Sequence, residues 1–396
     1  MKKKKIYMVC YGGGHVRIIA PLYKKLIHSY DVKILALTTA GEFLDSLSIP
    51  YLTFKDYSKL FECKVREYGE VLIKSLSSSS QVSHENSIYY LGCSFYELVK
   101  EYGEKEAYLI YKNKGRSAFL PIDTLSQILK LELPDIVLTT NAPRAERAAL
   151  ISAKSLGIKT ICINDNLWIS GGASEIVSKG LTDTICVLSD TVKSKLLNIN
   201  PSVNVEVTGT PVFDKLKVKS KNIQSRSKDK KTILLADCDL PSTHPLYPGV
   251  IADPELGEKI RKQLDFLAVK RFWSVVFRPH PSQNYDYTEY KNVILSKPTD
   301  DVSDLLASTD IVVTAISTVG IEGLMSGAGL VSIEGTVYGK ENSYFDYNLS
   351  SPVFSEFDLE DAIDEQLLRS KNINTSFYKG FAVDNIHHCI NVMISS

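Results

Sequence analysis

An apolar strand pattern is followed by a glycine turn and then by a helix pattern in Ile6-Tyr7-Met8-Val9-Cys10-Tyr11-Gly12-Gly13-Gly14-His15-Val16. This order indicates the fold class of the whole chain. The helix pattern covers Val16–His28, with apolar side chains at helical spacing at Ile18, Ile19, Leu22 and Leu26. Val32–Leu37 is the next apolar strand. A strand, a helix and a second strand in this order predict a βαβ unit with parallel strands.

The same alternation continues along the chain and then starts again. Further apolar strands are predicted at Ile136–Thr139, Thr160–Ile163, Ile185–Leu188, Thr232–Ala236, Val275–Arg278, Ile311–Thr314 and Leu330–Ile333. The polar run Lys217–Lys231 is the best candidate for a linker between the two series. We therefore predict an α/β protein of two doubly wound Rossmann-like domains, 1–216 and 217–396, which face each other across a cleft. The Tyr-rich region at about 57–131, with its polar stretch Ser75–Ser80, is predicted to be a helical insertion in the first domain.

Composition excludes several classes of function for this chain of 396 residues. Lys and Arg number 46, as do Asp and Glu, and this balance argues against binding to nucleic acid. Seven cysteines without a CxxC pair indicate neither a zinc site nor a disulfide framework, and we expect reduced thiols in a cytoplasmic protein. Lys2–Lys5 precede an apolar run too short for a secretion signal. We expect a solvated tail there, with attraction to an anionic membrane surface as the alternative.

The turn after the first strand is the first candidate site. Gly13 and Gly14 are expected to bring backbone N–H groups close to a ligand at the start of a helix, where the helix dipole adds positive charge. His15 would lie at the carboxyl edge of the sheet, where ligands bind in such folds. Three consecutive glycines do not match GxGxxG, so we expect no nicotinamide cofactor. The alternative is a tight turn with an exposed histidine.

Two further strand ends carry candidate residues at the same edge. Arg144 near a helix start opposes the helix dipole, which hints at a function; the alternative is a surface ion pair with Glu146 or involving Arg147. Asp165, with Asn166 beside it, is the best-placed carboxylate for deprotonating a hydroxyl, and the alternative is a turn or N-cap role.

The second half of the chain carries the candidate anion-binding residues. Arg278 and His280, held extended by Pro279 and Pro281, suit contacts to a phosphate or ribose. Ser317 and Thr318 precede a helix and would bind a pyrophosphate, and Glu322 one turn later would accept ribose hydroxyls; plain N-capping is the alternative. Asp237-Cys238-Asp239 has the DxD spacing of some metal-binding transferases, but the tripeptide is common by chance, and we assign no metal site.

Taken in order, these motifs resemble the GT-B-type glycosyltransferases. The chain is similar to the N-acetylglucosaminyltransferase that makes peptidoglycan lipid II and to the UDP-N-acetylglucosamine 2-epimerases. The similar stretches are Gly12–Val16, Gly157–Leu216, Arg278–Pro281 and Asp310–Gly323. Gly209-Thr210-Pro211-Val212 stands where the family often has Gly-Asn-Pro-Val. The glycine-rich loop that opens the family's second domain is replaced here by Asp237-Cys238-Asp239-Leu240-Pro241.

The resemblance implies an acceptor-binding first domain and a second domain that binds a nucleotide sugar. It implies Asp165 and His15 as catalytic groups, and a donor site formed by Arg278, His280, Ser317, Thr318, Glu322 and Gly209. Gly13, Gly14, Arg144, Glu146 and Asn166 would line the acceptor side of the cleft. No cofactor is expected. The implied function is metal-independent sugar transfer from a UDP- or CMP-sugar to a saccharide or lipid-linked hydroxyl, in bacterial surface polysaccharide, capsule or glycolipid synthesis.

Three alternatives stay open at this point. One is an epimerase-like isomerase or hydrolase, whose His-Gly-Gly-Glu stretch is not matched by Ile163-Asn164-Asp165-Asn166. A second is a CMP-sugar-dependent enzyme such as a sialyltransferase. The third is a nucleotide-binding partner without catalysis, because a fold does not determine a function.

Overall fold

The computed structural model describes residues 3–74, 82–169, 172–215, 230–244, 249–280, 285–297, 300–339, 343–369 and 380–395. The stretch Ser75–Ser80, Pro281 and most of the predicted linker Lys217–Lys231 lie outside these ranges. The chain divides into two compact units. Unit 1 comprises Met1–Asp214 together with Lys379–Ser396, and unit 2 comprises Lys215–Tyr378.

Unit 1 is built on a six-stranded sheet in the order β2-β1-β3-β4-β5-β6, and every pairing is parallel. Its strands are β1 (Lys5–Cys10), β2 (Asp31–Ala36), β3 (Ile136–Thr140), β4 (Lys159–Ile163), β5 (Thr184–Val187) and β6 (Asn204–Val207). All of β3 and all but the first residue of β1 and β4 are buried. Burial on both faces explains why these strands are continuous apolar runs, as parallel strands covered by helices require.

Helices cover both faces of this sheet. They are α1 (Gly14–Leu26), α2 (Ala40–Ser46), α3 (Cys63–Ile73), α4 (His84–Tyr102), α5 (Glu104–Lys114), α6 (Ile122–Glu132), α7 (Ala145–Ser155), α8 (Gly172–Ser178), α9 (Asp190–Ile199) and α14 (Ala382–Ser395). Helix α7 ends at Ser155 and is followed two residues later by Gly157, whose φ of +68° lies in the left-handed region that often follows a helix. None of the helices in the described ranges is long and apolar enough to cross a membrane.

In the described ranges, the chain between β2 and β3 forms helices α2 to α6. Helices α3 and α4 pack closely against each other because each has a glycine at the contact. A Cβ on Gly69 would lie 2.1 Å from the Ile88 carbonyl oxygen, and one on Gly92 would lie 1.9 Å from that of Val65. Any side chain at either position would therefore push these two helices apart.

Helix α14, the last in the chain, belongs to unit 1 and corrects the predicted second domain of 217–396. Its buried side chains Ile386 and Ile390 join the apolar core formed by β1 and α1. The Asp214 carboxylate accepts the backbone N–H groups of Ala382 and Val383, each at 2.9 Å. The second unit is thus shorter than predicted, because the C-terminal segment completes the core of the first.

Unit 2 repeats the architecture with six parallel strands in the order β12-β11-β10-β7-β8-β9. They are β7 (Thr232–Ala236), β8 (Ser274–Arg278), β9 (Val293–Leu295), β10 (Ile311–Thr314), β11 (Gly329–Ile333) and β12 (Ser351–Val353). Its helices are α10 (Leu256–Lys270), α11 (Val302–Ser308), α12 (Val319–Met325) and α13 (Leu359–Arg369). The predicted doubly wound α/β class is confirmed, and unit 2 has the strand order of dinucleotide-binding folds.

Candidate active site

Each sheet has one point where the strand order reverses, and the predicted site residues gather near these points. In unit 1 the reversal lies between β1 and β3, and in unit 2 between β7 and β10. Ligands of doubly wound sheets bind at the carboxyl ends of the strands on either side of such a point. The loops that follow these four strands are therefore the expected ligand-binding loops.

The glycine turn after β1 is tighter than the sequence indicated. Gly13 is the residue before α1 and has φ +69°, a conformation that side chains rarely adopt. Gly12 has no room for a side chain, because a Cβ there would lie 1.9 Å from Thr39 Oγ1. Helix α1 begins at Gly14, so His15 lies in its first turn rather than in the preceding loop.

Glu146 is fully buried and ties together the loops after β1 and β3. One carboxylate oxygen accepts the Tyr11 N–H at 2.9 Å, and the other accepts the Ala142 N–H at 3.0 Å and the Thr140 hydroxyl. The prediction that Glu146 lines the cleft is therefore wrong, because its oxygens are taken up by buried donors. Its role here is to position the residues around it.

His15 is held by this buried network. Its Nδ1 lies 2.5 Å from Thr140 Oγ1 and 3.9 Å from a Glu146 oxygen. The Thr140 hydroxyl donates its hydrogen bond to Glu146. Its oxygen is therefore left to accept a hydrogen bond from His15 Nδ1. In a neutral ring, this arrangement places the proton on Nδ1 and leaves the lone pair on Nε2. The side chain is 31% exposed, so solvent and ligands reach the ring.

Asp165 lies beside the start of α1, where a Cβ on Gly14 would be 4.0 Å from its Oδ2. Burial raises the pKa of its carboxyl, the nearby His15 opposes that rise, and Glu146 adds to it. Asn164 fixes the loop around it. Its side chain accepts from Asn141 Nδ2 at 2.5 Å and donates to the Asn166 carbonyl at 2.8 Å. The structure thus groups His15, Asp165 and Asn166 at one edge of the sheet.

Arg144 stacks on an aromatic ring at the same edge. Its guanidinium carbon lies 4.6 Å from the centre of the Tyr11 ring. The Tyr11 hydroxyl accepts the Ala145 N–H at 3.2 Å, which fixes the ring at the start of α7. Of the two ion pairs considered, Arg147 pairs with Glu175, whereas the Glu146 carboxylate is occupied as described. Cation–π stacking accounts for a cation at this helix start.

Gly209 does not belong to the unit that carries the other proposed donor residues. It follows β6 in unit 1, has φ +76°, and donates its N–H to the Val187 carbonyl at 3.1 Å. A Cβ on Gly209 would lie 3.5 Å from Ala382 of α14. The observed role of this glycine is to turn the chain beneath the last helix.

In unit 2, Ser317, Thr318 and Glu322 surround the start of the short helix α12, and all three are partly exposed. Ser317 Oγ accepts the Val319 N–H at 3.3 Å, one residue before the N-cap position, where the Thr318 side chain makes no capping hydrogen bond. The buried Tyr344 donates its hydroxyl proton to the Ser317 carbonyl at 2.6 Å. Burial, followed by the charges of Glu322 and Glu334, raises the pKa of Tyr344.

Arg278 ends β8, two strands from β10 in the sheet order. Its Nη1 donates to Ser296 Oγ at 3.0 Å, and His280 beyond it is exposed. Neighbouring strands are about 4.8 Å apart, so the ends of β8 and β10 are separated by about 10 Å, a distance that a diphosphate with its sugar spans.

Asp237, between these two strand ends, is buried and engaged. Arg261 Nη1 donates to its two oxygens at 3.2 and 3.0 Å, and the Tyr287 hydroxyl donates to it at 2.7 Å. Burial raises the pKa of this carboxyl despite the guanidinium beside it. The first carboxylate of the DxD tripeptide therefore serves an internal network.

A cavity of about 470 Å³ opens next to this network in unit 2. Its lining includes Asp239 and Leu240 after β7, Glu258 and Arg261 of α10, and Tyr285. The Arg261 guanidinium lies 4.3 Å from the centre of the Tyr285 ring. Its volume and mixture of apolar, aromatic and charged groups are in the range of small-molecule sites.

Comparisons with known proteins address the fold. No protein-family model matches the sequence, and a comparison with curated proteins gives no match either. Among solved structures, the UDP-GlcNAc 2-epimerase of Methanocaldococcus jannaschii in complex with UDP-GlcNAc and UDP is similar, with a TM-score of 0.62 and 12% identity over 98% of this chain and 99% of that one. The UDP-GlcNAc 2-epimerase of Neisseria meningitidis bound to UDP-GlcNAc has a TM-score of 0.61 and 16% identity, over 98% and 100%.

Acinetobacter baumannii MurG is similar over the full length of both chains, with a TM-score of 0.52 and 12% identity. At such low identity the likeness establishes a shared fold and nothing more. The chain therefore has the GT-B fold, and the resemblance drawn from its motifs is confirmed at that level.

Sequence reasoning missed several residues that hold the site together. Thr140 is the last residue of β3, and its position at the strand end was the available signal. Arg261 and Tyr344 gave no such signal, because they reach the site from elements distant in sequence.

Proposed function

We propose that this protein is a glycosyltransferase that moves a sugar from a nucleotide-sugar donor to a hydroxyl acceptor without a metal ion. Unit 1 supplies the acid–base groups, and unit 2 holds the donor. The observation that carries the proposal is the relay from His15 through Thr140 to the buried Glu146, because it fixes one tautomer of a partly exposed histidine. A relay of this kind prepares an imidazole to accept a proton from a hydroxyl.

The proton transfer follows from that tautomer. His15 Nε2 takes the acceptor proton as the hydroxyl oxygen attacks the anomeric carbon, and the resulting imidazolium is stabilised through Thr140 by the Glu146 carboxylate. Asp165, whose pKa is raised by burial, is the second candidate for the base and acts in its ionised form. Attack and loss of the nucleoside diphosphate or monophosphate proceed through an oxocarbenium-like state, as in glycoside chemistry.

The leaving phosphate is proposed to bind at the carboxyl edge of the sheet in unit 2. Ser317 and Thr318 offer hydroxyls there, and Arg278 and His280 add donors two strands away. Glu322 would accept the two hydroxyls of the pentose, as acidic residues do in other nucleotide sites. The 470 Å³ cavity beside Asp239 provides room for the nucleoside.

A second candidate is a UDP-sugar 2-epimerase. It is favoured by the higher TM-scores of the two epimerase structures, 0.62 and 0.61 against 0.52 for MurG. In that case His15 and Asp165 would exchange protons with the sugar itself rather than with an acceptor.

The deciding experiment begins with a thermal-shift screen of UDP-, CMP-, GDP- and dTDP-sugars, because a specific ligand raises the melting temperature by mass action. The best donor is then incubated with the protein with and without saccharide acceptors. A transferase releases nucleotide only with an acceptor, whereas an epimerase changes the sugar alone. A ligand that binds and is never turned over would overturn both proposals.

A further inference from the structure

Arg144 is a half-buried cation at the candidate active site of unit 1. It immediately precedes α7, and its guanidinium stacks on the face of the Tyr11 ring. Among the residues that the structure describes, no carboxylate makes an ion pair with this guanidinium. Arg147, three residues later on the same helix, is by contrast paired with Glu175. The ring of Tyr11 positions the Arg144 side chain, but it does not neutralise the positive charge.

The surroundings of Arg144 favour an anion. The first backbone N–H groups of α7, a helix of 11 residues, give this end of the helix a partial positive charge. The Glu146 carboxylate in the first turn does not balance it, because its oxygens accept two backbone N–H groups and the Thr140 hydroxyl. A guanidinium beside a helix start therefore leaves an excess of positive charge that an anionic ligand can balance.

The helical insertion of unit 1 supports the ring on which Arg144 stacks. The hydroxyl oxygens of Tyr11 and Tyr90 of α4 lie 3.1 Å apart, and the two rings meet edge to face at 6.1 Å. Tyr90 in turn packs against the rings of Phe54 and Phe119. All four aromatic side chains are buried. The guanidinium thus rests on a packed aromatic platform, and such support fixes the orientation of a ligand-binding side chain.

Arg144 is also connected to the proposed base. The Ala142 N–H, in the same loop as Arg144, donates to one oxygen of Glu146. The same oxygen accepts the hydroxyl of Thr140, and Thr140 Oγ1 lies 2.5 Å from His15 Nδ1. One buried carboxylate therefore fixes both the loop that carries Arg144 and the imidazole that is proposed to deprotonate the acceptor.

We propose that Arg144 binds an anionic group of the acceptor, so that the acceptor is an acidic saccharide or a saccharide phosphate rather than a neutral sugar. This inference rests on the proposed transferase function, because only a transferase has an acceptor. A guanidinium forms two parallel hydrogen bonds to a carboxylate or to a phosphate, and the shared chemistry is an oxyanion. Arg144 is then an acceptor-binding residue that determines specificity and takes no part in the proton transfer.

Direct binding tests this site without turnover. Two matched pairs of probes are titrated into the full-length protein by isothermal titration calorimetry. Methyl β-glucuronide is compared with methyl β-glucoside for a carboxylate, and glucose 1-phosphate is compared with glucose for a phosphate. The charged member of at least one pair should bind about 10- to 100-fold more tightly than its neutral counterpart, because hydrogen bonds to charged groups are strong. The pair that shows this preference identifies the anion.

Substitutions of Arg144 separate recognition of the anion from a merely structural role. Arg144→Gln should remove the preference for the charged probe, whereas Arg144→Lys should retain part of it, because lysine keeps the charge but not the planar fork. Arg369→Gln, at an exposed position on α13 in unit 2, removes the same charge and should keep the full preference. A structural role would lower the melting temperature of the Arg144 variants without changing which probe binds more tightly.

The proposal is overturned if neither charged probe binds more tightly than its neutral counterpart, or if Arg144→Gln keeps the preference. It is also overturned if Arg144→Gln weakens the binding of UMP and CMP as much as that of the charged saccharide, since Arg144 would then bind the donor. Failure of the proposed function has a different signature. In that case no acceptor receives the sugar, while the charge preference and its loss in Arg144→Gln are still observed.

Discussion

The strand reversals of units 1 and 2 place different side chains on the same kind of scaffold. Both sheets are parallel and six-stranded, and both have candidate residues in the loops after strands that flank the reversal. In unit 1 these loops join His15, Thr140 and Glu146 into a chain of hydrogen bonds. In unit 2 they offer hydroxyls and a partly exposed carboxylate at Ser317, Thr318 and Glu322. The difference shows that function lies in the loops, while the sheet only decides where they meet.

The two units also differ in how they satisfy a buried carboxylate. Glu146 in unit 1 is held by two backbone N–H groups and a hydroxyl, all without a formal charge. Asp237 in unit 2 is held by the Arg261 guanidinium and the Tyr287 hydroxyl. A buried carboxylate that has no cationic partner can interact electrostatically with a neighbouring imidazolium. A carboxylate that is already paired with a guanidinium interacts with a second cation less strongly.

Removal of the proposed base should have the largest effect. His15→Ala should lower kcat by about 100- to 10,000-fold with little change in donor affinity, because proton transfer by a positioned side chain contributes that much. Steady-state kinetics with the best donor measures it. His28→Ala, at an exposed site beyond the end of α1, is the control and should be unaffected. Full activity in His15→Ala would place the base elsewhere.

The role of Asp165 can be tested by the pH dependence of kcat and of the melting temperature. If Asp165 rather than His15 is the base, the acidic limb of kcat should lie above the usual range for an aspartate, because burial raises the pKa of Asp165, and Asp165→Asn should abolish that limb. A carboxyl whose folded-state pKa exceeds its unfolded value destabilises the fold once it ionises. Asp165→Asn should therefore melt higher than wild type near neutral pH, and the gap should close in acid. An equal gap from about pH 3 to about pH 8 would contradict this account.

Glu146→Gln tests whether the relay depends on the buried charge. The NH₂ group of the new glutamine would face the N–H groups and the hydroxyl that now donate to Glu146. Because these are all donors, we expect a loss of about 1–3 kcal/mol in the free energy of unfolding. Activity should fall about tenfold even where the variant is fully folded, because His15 loses its anionic support. Urea titration and kinetics measure the two effects. Glu106→Gln, on the exposed face of α5, should change neither.

Glu322→Ala addresses the proposed donor site of unit 2. Loss of the pentose contacts should weaken nucleotide binding about tenfold, equivalent to about 1.4 kcal/mol, without changing the pH profile. Isothermal titration calorimetry with the donor that stabilises the protein most gives the value. Asp361→Ala, at an exposed position on α13, is the matched control. Unchanged affinity in Glu322→Ala would remove Glu322 from the donor site.

Tyr344→Phe should have the smallest effect. It removes the hydrogen bond to the Ser317 carbonyl, which costs about 1 kcal/mol in stability. Looser placement of Ser317 should raise the donor KM a few-fold and leave kcat nearly unchanged. Tyr102→Phe, on an exposed tyrosine of α4, provides the comparison. A large drop in kcat would mean that Tyr344 itself contacts the reacting groups.

The fold was predictable where burial produces a local pattern. Strands such as β3, enclosed on both faces, are apolar runs, and Gly157 marks the end of α7 because only its left-handed turn fits there. Helix α14 was not predictable, because its partners come from the opposite end of the sequence. At the site, His15 and Asp165 were predictable because ligands bind at the carboxyl ends of parallel strands, and both residues follow such strand ends. The burial of Glu146 depends on backbone donors that a sequence does not display.

The return of α14 to unit 1 determines the order in which the chain can be completed. Unit 2 is one continuous segment, so all of it is synthesised before α14. Unit 1 can be completed only after α14 has been synthesised. Until then the core around Ile386 and Ile390 is open to water or to chaperones. A gene cut after Asp214 would encode unit 1 without α14 and therefore with an incomplete core. Joining α14 directly to Asp214 in place of unit 2 would restore that core.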